Sequence, residues 1–263
     1  MNEIFKAAVR RGMPLLALAI GAVAPAQATL LPQSWNGYHW AHTGNLAIMI
    51  GNNASAVWAP YLAAAEVKWS ADKYIDYVPT AGMTSASSCG GIYGTVQVCS
   101  GNYGATGWLG YTQVWTSGTQ ISQATIKLND YYFSQAKYNI AAFRQQVACQ
   151  EMGNALGLAD SDRNYANANA GTCMDYTYDP SGTKGTNGTL ANTTTSATDI
   201  SRLDAIYAVK DSTQIVFTKP KTSGNALAVA AAVPEPASWM TMMAGFLGLG
   251  LSLRRRRKAA ATA

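Results

Sequence analysis

Gln150-Glu151-Met152-Gly153-Asn154-Ala155-Leu156-Gly157-Leu158-Ala159-Asp160 is the stretch that decides how this chain of 263 residues is read. Phe143, Val147 and Glu151 recur every four residues, so 139–156 is expected to be a helix with one face turned to the core. Gly157 stands where a residue in the left-handed conformation would end it. Gln150 and Asn154 are also four apart and leave that helix in the same direction. Past the glycine the chain leaves the helix axis.

The stretch resembles the metzincin zinc-peptidase motif H-E-x-x-H-x-x-G-x-x-H, with Glu151 and Gly157 kept and Gln150, Asn154 and Asp160 standing at the three histidine positions. Downstream, Thr172-Cys173-Met174-Asp175-Tyr176 looks like the Met-turn that underlies a metzincin metal site. Asn36-Gly37-Tyr38-His39-Trp40, Gly107-Trp108-Leu109-Gly110, Lys127-Leu128-Asn129-Asp130 and Leu203-Asp204-Ala205-Ile206-Tyr207 look like segments of bacterial exported matrixin-like proteins. In some of those relatives the first histidine also reads as glutamine, whereas the later two are normally histidine. The resemblance implies an α+β fold, with a mixed twisted sheet, a motif-bearing helix, a Met-turn at Met174 and a C-terminal helix. It implies a metal at residues 150, 154 and 160, with Glu151 as the catalytic base if the chain is active.

Chemistry argues against zinc at those positions. A catalytic zinc site uses three imidazole, thiolate or carboxylate ligands and an open water position, and only Asp160 qualifies. Gln150 and Asn154 offer neutral amide oxygens, which suit hard ions such as calcium and leave the metal charge uncompensated. Without a polarised water, Glu151 has nothing acidic enough to deprotonate. Only His39 and His42 exist as replacements, an H-x-x-H pair near the mature N-terminus that reads more simply as two strand or surface histidines. Asp160-x-Asp162-x-Asn164 opens like a calcium loop, but Tyr165 replaces its glycine and Gly171 its bidentate glutamate. The expectation is no resident cofactor, with calcium as the alternative ion.

The two ends of the chain are targeting segments. Lys6, Arg10 and Arg11 precede an apolar run from Met13 to Ala24, and Ala26-Gln27-Ala28 is a signal-peptidase pattern, so 1–28 is read as a signal peptide. Pro234-Glu235-Pro236, an uncharged stretch over 237–253 and Arg254-Arg255-Arg256-Arg257-Lys258 resemble the three-part PEP-CTERM sorting signal at 234–258. That resemblance implies an exosortase-type partner, transient anchoring in the inner membrane, and delivery to the envelope or extracellular matrix; an ordinary membrane anchor would usually be longer. The net charge of +5 belongs to these ends: residues 29–253 carry 11 Lys+Arg against 13 Asp+Glu, near −2, so no basic surface remains for nucleic acid. The domain is placed at 29–218, followed by a linker at 219–233.

Cys89, Cys99, Cys149 and Cys173 in an exported chain are expected as two disulfides. Of three possible pairings, Cys89–Cys99 would close a hairpin-like loop and leave Cys149 to tie a helix to the segment before Met174. A first helix is placed at 58–69 with Pro60 in its opening turn. Strands are placed at 74–78, 94–99, 109–115 and 123–128, a polar loop at 181–198, and a last helix capped by Thr198. Asn53, Asn187 and Asn192 fit the N-x-S/T glycosylation pattern, a reading to which the bacterial targeting signals give little weight. The aromatic run Trp108, Tyr111, Trp115 reads as core or as the wall of a groove for peptide or sugar.

Taken together, these residues favour an exported, envelope-sorted pseudo-peptidase whose cleft binds a peptide or envelope polymer, or persists as structure. The alternative is an active metalloendopeptidase using Asp160 with Glu151 or Asp162. A third class, a matrix component acting by display, rests on the sorting signal.

Overall fold

The computed structural model describes residues 34–213 and 227–234. The signal peptide, the uncharged stretch at 237–253 and Arg254 to Arg257 lie outside the described residues, as do Glu235 and Pro236. Leu46, Ile48 and Ile50 turn inward along β2 (Leu46–Asn53). Parallel strands β3 (Ile75–Ala81) and β4 (Thr95–Gly101) flank it. Between β2 and β3 the chain crosses through α1 (Ala59–Trp69), with proline in its first turn as expected. β4 is parallel to β6 (Gln120–Asn129), which also meets the two-residue β1 (His39–Trp40).

β5 (Trp108–Ser117) breaks the parallel pattern, running antiparallel to β6 through a hairpin at Gly118-Thr119. The short α2 (Asp130–Phe133) follows β6. Then come α3 (Ala141–Ala155), a long irregular stretch and α4 (Ala197–Tyr207). The last described strand, β7 (Leu227–Pro234), pairs antiparallel with the outer side of β5, so the stretch read as a linker contributes a strand to the sheet. The sheet order is β3-β2-β4-β6-β5-β7. This is the expected α+β class: a mixed sheet, a motif-bearing helix and a C-terminal helix.

Ile48, Ile50, Val96, Val98, Val114, Ile126 and Leu128 from the sheet join Leu62, Trp69, Phe143, Val147 and Met152 from α1 and α3 in one apolar cluster. Cys89–Cys99 and Cys149–Cys173 are the two disulfides, paired as expected. The former holds the segment before β4 to the strand itself. The latter joins α3 to the chain entering Met174.

α4 begins two residues earlier than the sequence suggests. Ser196 is its cap, with Ser196 Oγ accepting from the Asp199 N–H at 3.2 Å and Asp199 Oδ2 accepting from the Ser196 N–H at 2.7 Å. Thr198, placed in the sequence reading as the cap, is an exposed residue inside the first turn.

Candidate functional site

Almost every residue of α3 after Phe143 is buried, so its polar side chains must find partners inside the protein. Its C-terminal turn is fixed from several sides. Tyr77 OH donates to the Met152 carbonyl at 2.8 Å, Trp40 Nε1 to Ala155 at 2.8 Å and Tyr207 OH to Leu156 at 2.9 Å, satisfying carbonyls that a helix end leaves open. Gly157 then takes φ +84, and a Cβ there would lie 2.0 Å from the Tyr38 carbonyl oxygen. Only glycine combines that backbone angle with that approach.

The turn brings Asp160 back to Gln150. Gln150 Nε2 donates to Asp160 Oδ1 at 3.0 Å, while Asp160 Oδ2 accepts from Arg163 Nε at 3.0 Å and from Tyr176 OH at 3.2 Å. Burial, with the Asp160 carboxylate next in effect, holds the Tyr176 hydroxyl well above the usual phenol value, so it acts as donor. Asn154 is buried one turn beyond Gln150; its Nδ2 and Gln150 Oε1 have no hydrogen-bond partner among the described residues.

Zinc does not fit this donor set. One carboxylate and two neutral amides supply too little charge, and both oxygens of that carboxylate already accept hydrogen bonds. Among the described residues no group of three or more His, Cys, Asp or Glu could hold a metal. Nor do Asp160, Asp162 and Asn164 converge as a calcium loop: Asp162 Oδ1 accepts from the Asn164 N–H and Oδ2 from Asn167 Nδ2, both at 2.5 Å, which closes a local turn.

Glu151 faces β5. Thr112 Oγ1 lies 2.5 Å from Glu151 Oε2 and 3.0 Å from the Glu151 carbonyl oxygen. Its neighbour Gly110 leaves the space that Glu151 and Val147 fill, since a Cβ at 110 would lie 2.5 Å from Glu151 Oε1 and 2.6 Å from Val147 Cγ1. Tyr111, on the alternate face of the strand, has its hydroxyl raised by burial first and by Glu151 second. Trp108, Tyr111 and Trp115 are all partly buried, with ring centroids 5.4 Å apart for Trp108–Tyr111 and 5.6 Å for Tyr103–Trp108.

Met174, placed by the sequence in a Met-turn, is fully buried against α3 at Gly153. A Cβ on Gly153 would sit 2.6 Å from Met174 Sδ and from Trp69 Cζ2, so the absence of a side chain lets both reach the helix. The turn around Met174 is set by Thr172 Oγ1, which accepts from the Met174 N–H at 3.0 Å and donates to Asp199 Oδ2. Asp175 is fully buried and accepts from the Ala170 N–H and Asn192 Nδ2.

His39 and His42 belong elsewhere. His39 Nε2 lies 3.3 Å from Asp211 Oδ1, and Asp211 Oδ2 accepts from the His42 N–H at 3.0 Å. Although burial opposes it, these bonds and one from Gln120 hold the Asp211 carboxyl below its usual value. Asn187 and Asn192 are buried and donate to backbone carbonyls, a structural use of both amides. Three members of the site were not singled out from sequence as partners: Arg163, Tyr176 and Thr112. Tyr176 sits two residues after Met174 and Arg163 three after Asp160, but neither spacing specifies a contact.

Residues 232–257 match the PEP-CTERM protein-sorting motif. The motif implies export, sorting to the cell envelope and processing by an exosortase-type enzyme. No curated protein matches the chain. Among solved structures it is similar to myroilysin, at 10% identity and a TM-score of 0.38, covering 67% of this chain and 98% of that one. It is also similar to high choriolytic enzyme 1, a hatching enzyme zinc-protease from the medaka fish Oryzias latipes, at 13% identity and a TM-score of 0.36, covering 66% and 94%. Among the described residues no helix is long and apolar enough to cross a membrane.

Proposed function

We propose that this is an envelope-sorted, metzincin-like domain in which a hydrogen-bonded cluster has replaced the metal centre, leaving a binding or structural role without peptide hydrolysis. The observation that carries the reading is the engagement of Asp160: both oxygens of the one anionic group at the three ligand positions are taken by Gln150, Arg163 and Tyr176. A buried carboxylate already paired with a guanidinium gains little from a metal and would have to lose that pair to bind one. Glu151, held by Thr112, then serves as the polar contact between α3 and β5. The partner of such a domain would be a peptide or an envelope polymer.

A second reading keeps the chain as a metalloendopeptidase with unusual ligands, favoured by Gln150 Oε1, a buried oxygen with no hydrogen-bond partner among the described residues. One experiment separates the two. The exported chain is purified oxidised, without chelator or histidine tag, and assayed for metal content and for hydrolysis of an unfolded protein. The proposed reading expects substoichiometric zinc and no cleavage. Stoichiometric zinc together with cleavage abolished by Glu151→Gln would establish the second.

A further inference from the structure

β7 belongs both to the domain and to the sorting motif. It runs along the side of β5 that β6 leaves open, with Leu227 opposite Thr116, Ala230 opposite Gln113, Ala231 opposite Thr112 and Pro234 opposite Trp108. The sorting match begins at residue 232, so the first three matched residues lie within the sheet. A sheet edge offers a row of N–H and C=O groups that bind an extended segment largely through its main chain. Proline at the end of an edge strand fits that position, because it needs no donor there.

An enzyme that takes hold of the chain at Pro234-Glu235-Pro236 by strand addition would need the same extended backbone. Main-chain groups bonded to β5 cannot serve a second partner at the same time. We propose that β7 is a releasable strand whose pairing with β5 masks the start of the sorting motif and sets the rate at which the sorting enzyme processes the chain. The domain thus governs its own tail, and anything else that occupies the β5 edge in an extended conformation frees the motif by reciprocal linkage. The inference does not depend on the state of the metal centre.

Neighbouring amides in a strand point to opposite sides, so of Ala230 and Ala231 one N–H faces β5 and the other faces away. Hydrogen exchange on the full chain in detergent identifies the protected one. Ala230→Pro and Ala231→Pro are then each introduced into the full chain in its native membrane, and conversion to the processed form is followed by pulse-chase. The variant at the protected amide is expected to be processed about fivefold faster, the change that loss of one net backbone hydrogen bond gives, and the other at close to the parent rate. Equal rates in all chains, slower processing of the protected-site variant, equal acceleration of both, or no processing at all would overturn the proposal. So would the absence of protection at both amides.

Discussion

Gly110→Ala would put a methyl group where Glu151 and Val147 already are, with contacts of 2.5 and 2.6 Å that no rotamer of alanine can relieve. Overpacking of this kind costs about 1–3 kcal/mol, and the denaturation midpoint should fall accordingly. Gly44→Ala, with nothing within 4 Å, should leave it nearly unchanged. Equal behaviour of the two would mean that α3 does not approach β5 as closely as described. At Asp175, burial pushes the carboxyl up from 3.8 to about 6, against the opposing hydrogen bonds from Ala170 and Asn192. A carboxyl with a folded pKa above its unfolded one stabilises the fold in its protonated form. That contribution is complete below about pH 4 and lost as pH rises through about 6. Asp175→Asn should therefore become more favourable relative to the parent between pH 4 and pH 7, by on the order of 2 kcal/mol. Urea titrations at the two pH values test this; a constant difference would refute it. The meeting of Gln150 with Asp160 was legible because a helix end and one glycine suffice to bring the chain back. Arg163 was not: an exposed, flexible side chain has no pattern until the turn that positions its partner is known.

Among the elements, α4 shows how a neighbouring candidate can mislead. Thr198 and Ser196 are both plausible caps, but only Ser196 has a carboxylate three residues on, and Asp199 completes the reciprocal pair. Ser196→Ala should cost about 1 kcal/mol in thermal or denaturant stability, while Thr198→Ala should be close to neutral; the reverse order would return the cap to Thr198. Four strands were placed by β-branched and aromatic runs bounded by glycine or polar residues. β2 was missed, because Leu46-Ala47-Ile48-Met49-Ile50-Gly51 is a continuous apolar run between two parallel partners and shows little alternation in the letters. β7 was read as linker for the opposite reason. Its residues are small, and what makes it a strand is the open side of β5, a property of the sheet and not of the segment.

For the molecule as a whole, the two disulfides do different work. Cys89 and Cys99 are 10 apart in sequence and staple neighbouring segments, whereas Cys149 and Cys173 are 24 apart and join the motif helix to the Met174 turn. Replacing Cys149 and Cys173 by alanine should lower stability by about 3 kcal/mol and loosen Met174 against Gly153. The corresponding change at Cys89 and Cys99 should cost less and leave near-ultraviolet dichroism closer to the parent. If the shorter loop proves more costly, the chain is held chiefly at the β4 side. Their pairing was legible because an exported chain with four cysteines leaves few options. What the domain binds was not legible, because the neutral amides of Gln150 and Asn154 specify no one class of ligand.

The buried asparagines have a consequence for how this molecule ages. The sequence contains two Asn-Gly pairs, the dipeptide in which a flexible following residue most readily allows the backbone nitrogen to attack the side-chain amide and release ammonia. Asn36 is exposed, whereas the amide nitrogen of Asn187 is held by the carbonyls of Tyr165 and Asn167 at 2.7 and 2.6 Å. Asn36 should therefore deamidate first on storage. Succinimide or isoaspartate at 187 would then date, chemically, how often the 165–192 loop opens.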